Sequence, residues 1–241
     1  MPARPLPPTA LALAVLGWIS LVLALDAGGT RAAQGVLGLA TWALLGVALH
    51  RESVPVRVQT AVVVVFATAV EYTCSPLLEV YTYRFDNVPA YVPPGHGLVY
   101  LAALWLGRSA YVQRHLTGCA VTVLALGGAY AAWGVTLADR LDVLGLFWFG
   151  CLAGFLALGP SRPLYVGAAV VVTYLELLGT AVGTWQWQPY DPTGTVAIGN
   201  PPSGAAGGYG WFDLAAVTLT PWLLRRWTGR RATPQELLDR R

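Results

Sequence analysis

Glu71 and Glu176 stand at the ends of two apolar runs, and they are the residues of this chain best suited to chemistry. Carboxylates inside apolar spans are costly and usually face an interior cavity. Two carboxyls sharing one dry pocket do not hold protons alike, so one can donate a proton while the other accepts. Each is followed at nearly the same distance by an aromatic-x-aromatic pair: Tyr81 and Tyr83 after the first, Trp185 and Trp187 after the second. A spacing of two turns both rings of a pair to one side of an extended segment. Such rings form either a wall for an elongated apolar ligand or a cation, or an interfacial aromatic belt. An asparagine with prolines comes next in both places, as Asn87-Val88-Pro89 and Asn200-Pro201-Pro202. A further apolar run then opens with His96-Gly97 or Tyr209-Gly210 and passes through Leu-Ala-Ala at 101–103 or 214–216.

The candidate catalytic groups are therefore Glu71, Glu176 and His96, joined by Asp213, which lies about one turn into the last apolar run. Tyr81, Tyr83, Trp185, Trp187, Asn87 and Asn200 are the candidate substrate-binding residues. The plainer alternatives are headgroup-level glutamates that are solvated or cap the following loop, and an interfacial imidazole bonded to a loop carbonyl. Glu79, Asp86 and Asp191 read as solvated loop acids.

The elements that must position these groups are membrane helices. The chain has 241 residues, 56% hydrophobic and only 11% charged, against about 25% charged in a soluble domain. Apolar runs at Thr9–Leu25, Val36–Leu49, Val56–Tyr72, His96–Gly107, Gly118–Ala138, Val143–Leu158, Leu164–Gly183 and Tyr209–Leu224 predict an all-α integral membrane protein of about eight transmembrane helices. The first run is read as a retained helix. It is longer than the h-region of a signal peptide and contains Trp18. The Pro/Gly/aromatic loops at 73–95 and 184–208 are expected to fold over the outer face.

There is no lysine, and the fifteen arginines divide unevenly. With both termini cytoplasmic, twelve fall inside; only Arg31, Arg84 and Arg140 fall outside. That bias predicts this orientation, in a plasma membrane, with an even number of helices. Short words recur about 105–108 residues apart: Glu71 and Glu176, Val36-Leu37-Gly38-Leu39 and Val143-Leu144-Gly145-Leu146, Ser53/Pro55 and Ser161/Pro163. They predict two parallel four-helix repeats, 1–115 and 116–226, with a basic cytoplasmic tail at 227–241.

Other chemistries lack their residues. Cys74, Cys119 and Cys151 are far apart, and no His/Glu/Cys cluster has metal-ligand spacing, so neither metal nor cofactor is expected. There is no Gly-x-Ser-x-Gly, and Gly199–Gly204 lacks the lysine of a phosphate loop. A net charge of +3 suggests no nucleic-acid partner. No acid, Asn or Gln is expected deep in the inner halves of the helices, which argues against a transport path.

The pattern resembles small integral-membrane carotenoid hydratases of the bisanhydrobacterioruberin hydratase type and, more distantly, small carotenoid cyclases. The stretches that carry the resemblance are Ala69-Val70-Glu71 leading to Tyr81-Thr82-Tyr83 and Val88-Pro89, then Leu175-Glu176 leading to Trp185-Gln186-Trp187 and Asn200-Pro201-Pro202. His96 and the doubled prolines lie outside it. The resemblance implies a lyase of bacterial carotenoid biosynthesis acting on an isoprenoid. An acid would protonate a terminal alkene, a tertiary carbocation would form between ring faces, and water would add, with Glu71 and Glu176 as the acid and base. A transporter of a lipid or small solute, or an accessory membrane subunit, are the alternatives.

Overall fold

In the computed structural model, which describes residues 6–228, the chain is all-helical apart from one short ribbon. Nine helices form among those residues: α1 (Pro8–Gly28), α2 (Arg31–His50), α3 (Val54–Tyr72), α4 (Val92–Gly107), α5 (Ala110–Arg114), α6 (Leu116–Thr136), α7 (Val143–Leu158), α8 (Arg162–Ala181) and α9 (Ala205–Thr228). Five are long and apolar enough to cross a membrane: α1, α2, α3 with the turn that follows it, α6 and α8. Large apolar side chains such as Leu39, Val47 and Leu158 are exposed around the bundle, as on a surface whose solvent is lipid. This is the make-up of a multi-pass membrane protein. Most of the expected basic tail, from residue 229, lies outside the described residues.

Prolines mark several helix starts. Pro8, Pro55, Pro93 and Pro163 sit in the first turns of α1, α3, α4 and α8, where the absent N–H has no intrahelical acceptor to lose. This moves one boundary from its expected place. α4 starts at Val92, a turn before His96, because Pro93 and Pro94 are good first-turn residues. α9 likewise starts at Ala205, a turn before Tyr209. His96 and Tyr209 are thus each the fifth residue of a helix, inside the bundle rather than at its rim.

The centre is a ring of four helices. α4 crosses α8 and α3 crosses α9, while α3 also packs on α4 and α8 on α9. α4 is buried nearly all round, which its unbroken apolar sequence permits. Close crossing needs small residues: a Cβ on Gly167 of α8 would strike the Ala103 carbonyl of α4, and one on Gly207 of α9 would strike the Trp148 carbonyl of α7. Outside the ring the two halves differ. α1 lies against α4, whereas α6 lies against α7 and α8.

One end of the ring is covered by the loops. α3 runs out through a π-helical turn, Thr73–Leu77, containing Pro76. Strands β1 (Tyr81–Tyr83) and β2 (Trp185–Trp187) then pair antiparallel, with Tyr81 opposite Trp187 and Tyr83 opposite Trp185. The three arginines assigned to the minority side all grip loop carbonyls at this end. Arg31 donates to Phe85, Arg84 to Asp26 and Gly29, and Arg140 to Trp187, Gln188 and Ile198. The ring and both loops share one continuous hydrophobic core.

Two further acids pin these loops. Asp26, at the end of α1, accepts from Gln34 at 2.9 Å and from Tyr91 at 2.9 Å. Asp142 caps α7 by accepting from Gly145 N at 2.9 Å, and it also accepts from Gly199 N at 2.8 Å and Ser203 N at 2.7 Å. Asp191 gathers the Thr193 hydroxyl and the amides of Val196, Thr193 and Thr195; the hydroxyl first, then the Val196 amide, hold its carboxyl down at about 2. A depressed folded value contributes stability that is full above the free-Asp range and is lost progressively as pH falls from there through about 2. Asp142→Ala strands three backbone donors and is expected to lower stability by at least about 3 kcal/mol. Asp142→Asn, which keeps one acceptor oxygen, is expected to fall between it and wild type in thermal unfolding of the purified protein in detergent.

Candidate functional site

The ribbon, the ends of α3 and α8 and the starts of α4 and α9 enclose a cavity of ≈320 Å³ lined by Glu71, Glu176, His96 and Tyr209. Tyr81, Tyr83, Trp185 and Trp187 line it as well, and so does Trp148 of α7. Both glutamates are buried, 6% and 4% exposed, and neither faces lipid.

Each glutamate is held by the aromatic pair that follows it. Tyr81 and Tyr83 donate their hydroxyls to Glu71 Oε2 at 2.9 and 2.8 Å. Trp185 and Trp187 donate their indole N–H groups to Glu176 Oε2, both at 3.1 Å. The alternation of an extended strand is what sends both rings of a pair to the same carboxylate. Polar tips on otherwise apolar rings satisfy the buried acids with little exposed polar surface. Indole N–H is a donor only, so Glu176 Oε2 accepts both bonds. Gly179 leaves the room that Trp185 occupies; a Cβ there would overlap the indole.

The remaining carboxylate oxygens meet the helix-start residues. His96 Nε2 is 2.8 Å from Glu71 Oε1. Tyr209, which holds the fifth position of α9 as His96 does of α4, points its hydroxyl at Glu176 Oε1 from 3.5 Å. The imidazole and the Tyr209 ring stack, with centroids 5.4 Å apart. Tyr81 and Trp187 bring the two carboxylate clusters together across the ribbon, with centroids 4.6 Å apart. Glu71 and His96 thus stand within hydrogen-bonding distance of each other, while Glu176 accepts from ring donors on the same cavity.

The expected site residues divide cleanly. Glu71, Glu176, His96 and the four ring residues come together; Asn87, Asn200 and Asp213 do not line the cavity. Asn87 donates to Gln34 at 3.0 Å and so ties its loop to α2. Asn200 accepts from Trp187 N at 3.0 Å and so sets the position of β2. Each is tied to the protein through one of its polar atoms and stands outside the cavity lining, and Asn87 Oδ1 has no partner among the described residues. Asp213 is 5% exposed within the four-helix ring, and its Oδ2 has no partner among the described residues.

Sequence reasoning missed Tyr209, the counterpart of His96, as a member of the site, although the matched His-Gly and Tyr-Gly starts were a signal for it. It also missed Trp148, Asp26 and Asp142. One expectation was wrong on the sequence itself. The inner part of the bundle does hold an amide: Gln59 of α3 is 2% exposed and accepts from the Tyr100 hydroxyl at 2.9 Å. No cluster of three or more metal-ligating side chains occurs among the described residues. Comparison of the chain with protein-family models, with curated proteins and with solved structures finds no match.

Trp187→Phe keeps an aromatic ring but loses part of the buried indole's bulk and one donor to a buried carboxylate. It is expected to destabilise the protein by at least about 1.5 kcal/mol, the lower figure for a hydrogen bond to a charged group alone. The same change at Trp222, which lies on the exposed part of α9, is expected to be near neutral; thermal unfolding of both variants in the same detergent gives the comparison.

Proposed function

We propose that this chain is an integral-membrane enzyme that acts on an isoprenoid, carotenoid-like, or other lipid chain end by carboxylic-acid proton chemistry. The proposed reaction is hydration of a terminal alkene. What carries the reading is the meeting of Glu71–His96 and Glu176 in one cavity whose other walls are apolar and aromatic. The proton held between Glu71 Oε1 and His96 Nε2 passes to the terminal alkene carbon, whose π electrons form the new C–H bond. The tertiary cation left behind is stabilised by the faces of the surrounding rings. A water oxygen bonds to the cation, and Glu176 takes up the proton released from that water. Net, one water is added, and exchange with solvent returns the proton to the Glu71–His96 pair.

The same reading takes the chain as eight spans in two parallel four-helix repeats, 1–115 and 116–226, with both termini cytoplasmic. The matched surroundings of the two glutamates and the antiparallel exchange of β1 and β2 support it. The match is good for α3, β1 and α4 against α8, β2 and α9, and weak for the flanking helices.

A second reading, transport of a lipid or small solute, draws on one observation. Gln59, Tyr100, Tyr165 and Asp213 put buried polar groups in the four-helix ring outside the cavity lining, and the Tyr165 hydroxyl and Asp213 Oδ2 lack partners among the described residues. Expression in a polyene-producing host separates the two. The enzyme reading expects a water-sized mass gain on the extracted pigment that is lost in Glu71→Gln and reduced at least about a hundredfold in Glu176→Gln, the lower range for losing an acid or base catalyst. No mass change on any polyene, with solute flux into proteoliposomes, would replace it by the transport reading.

A further inference from the structure

The cavity has an uncompensated charge inventory. Its lining holds two carboxyl groups and one imidazole and contains no arginine or lysine. The arginines at the same end, Arg31, Arg84 and Arg140, are committed to loop carbonyls. Buried carboxylates ordinarily have a cationic partner or a metal. Glu71 has the His96 imidazole at 2.8 Å, but Glu176 meets only ring N–H and O–H donors, which satisfy its oxygens as hydrogen-bond acceptors and add no positive charge. The rings also offer π surface. Tyr81 and Trp187 aim their polar tips at the carboxylates, and Trp148 packs edgewise on Trp187 at 5.7 Å. Trp and Tyr faces attract cations, most strongly where water is excluded.

Size sets a second limit. At roughly 30 Å³ per water- or methylene-sized group, ≈320 Å³ holds about ten carbons. The volume fits the end of a chain and is too small for a whole polyene or a whole lipid. The remaining lining, including Val22, Leu98, Val99 and Leu175, is apolar, so the chain that enters must be apolar apart from its positive centre.

We propose that this cavity is a site for lipophilic cations: it takes an apolar chain end of about ten carbons bearing one positive centre, held between Glu71, Glu176 and the surrounding ring faces. The inference rests on the enzyme reading for its meaning. A stable ammonium is the counterpart of the transient carbocation, and a site built for the cation should bind the ammonium more tightly than the neutral substrate-like chain. The binding itself is measurable without any turnover.

The experiment uses the full chain purified in one detergent. Geranylammonium is titrated against geranyl methyl ether, a neutral probe of similar size, with the emission of the cavity tryptophans as the readout. The wild-type protein is expected to bind the ammonium at least about tenfold more tightly than the ether after correction for micelle partitioning measured without protein. Glu71→Gln and Glu176→Gln are each expected to remove most of that preference while leaving ether affinity within about twofold. A fifteen-carbon ammonium should gain far less over the ten-carbon probe than the ten-carbon probe gains over a five-carbon one. Equal binding of cation and ether by the wild-type protein overturns the proposal without any variant having to fold, and so does a preference that survives both substitutions. Cation preference without hydration of any polyene keeps this site and removes the enzyme. Hydration without cation preference keeps the enzyme and removes this site.

Discussion

Two carboxylates buried in an apolar bundle have to find donors, and most of the structure around the cavity answers that requirement. Water would supply donors at a surface; inside a lipid-facing bundle the protein must supply them. It does so with rings. Tyr81 and Tyr83 serve Glu71, and Trp185 and Trp187 serve Glu176, through polar tips carried on apolar bodies. The ribbon between β1 and β2 follows from the same need, because only an extended strand aims alternate side chains at one point. Pairing the strands satisfies their backbone groups and brings the two carboxylate clusters to a common wall.

The ribbon must in turn be held over the bundle. Asp142 binds three backbone amides that join the start of α7 to the loop before α9, and Asp26 binds the loop before α4 through Tyr91 and Gln34. Arg84 and Arg140 collect carbonyls where the loops lack strand partners. These groups bind protein rather than ligand, yet the cavity depends on them. This is also how Asn87 and Asn200, which look like ligand-binding residues by their place in the motif, each come to be bonded to the protein through one polar atom. A loop folded over an apolar bundle has many backbone and amide groups to satisfy, and side chains within it are recruited for that first.

The two carboxyl clusters on the cavity are unequal. The α4 side presents an imidazole to its glutamate at 2.8 Å; the α9 side presents a phenol to its own at 3.5 Å. The first arrangement is a short contact between an imidazole nitrogen and a carboxyl oxygen. The second leaves an acceptor nearly free on one oxygen. Two identical clusters would offer the cavity the same groups twice; here an imidazole faces one carboxyl and a phenol the other.

Composition and pattern alone determined a good deal: a helical membrane chain, the identity of both glutamates, the rings that follow them, and the likeness of His96-Gly97 to Tyr209-Gly210. These are local properties, set by hydropathy, by period-two spacing and by order along the chain. What only the tertiary structure decided is which groups those residues meet. Gly167 and Gly207 let helices cross closely enough to bring distant segments together. The strand register set Tyr81 against Trp187, and Asp26 and Asp142 became loop clasps through contacts more than fifty residues away in sequence. Asp213 carries the same lesson in reverse. Its place in an apolar run marks it as unusual, but whether it reaches the cavity depends on the rotation of α9 against α3 and α8, and that rotation is set by packing between helices rather than by any signal within one.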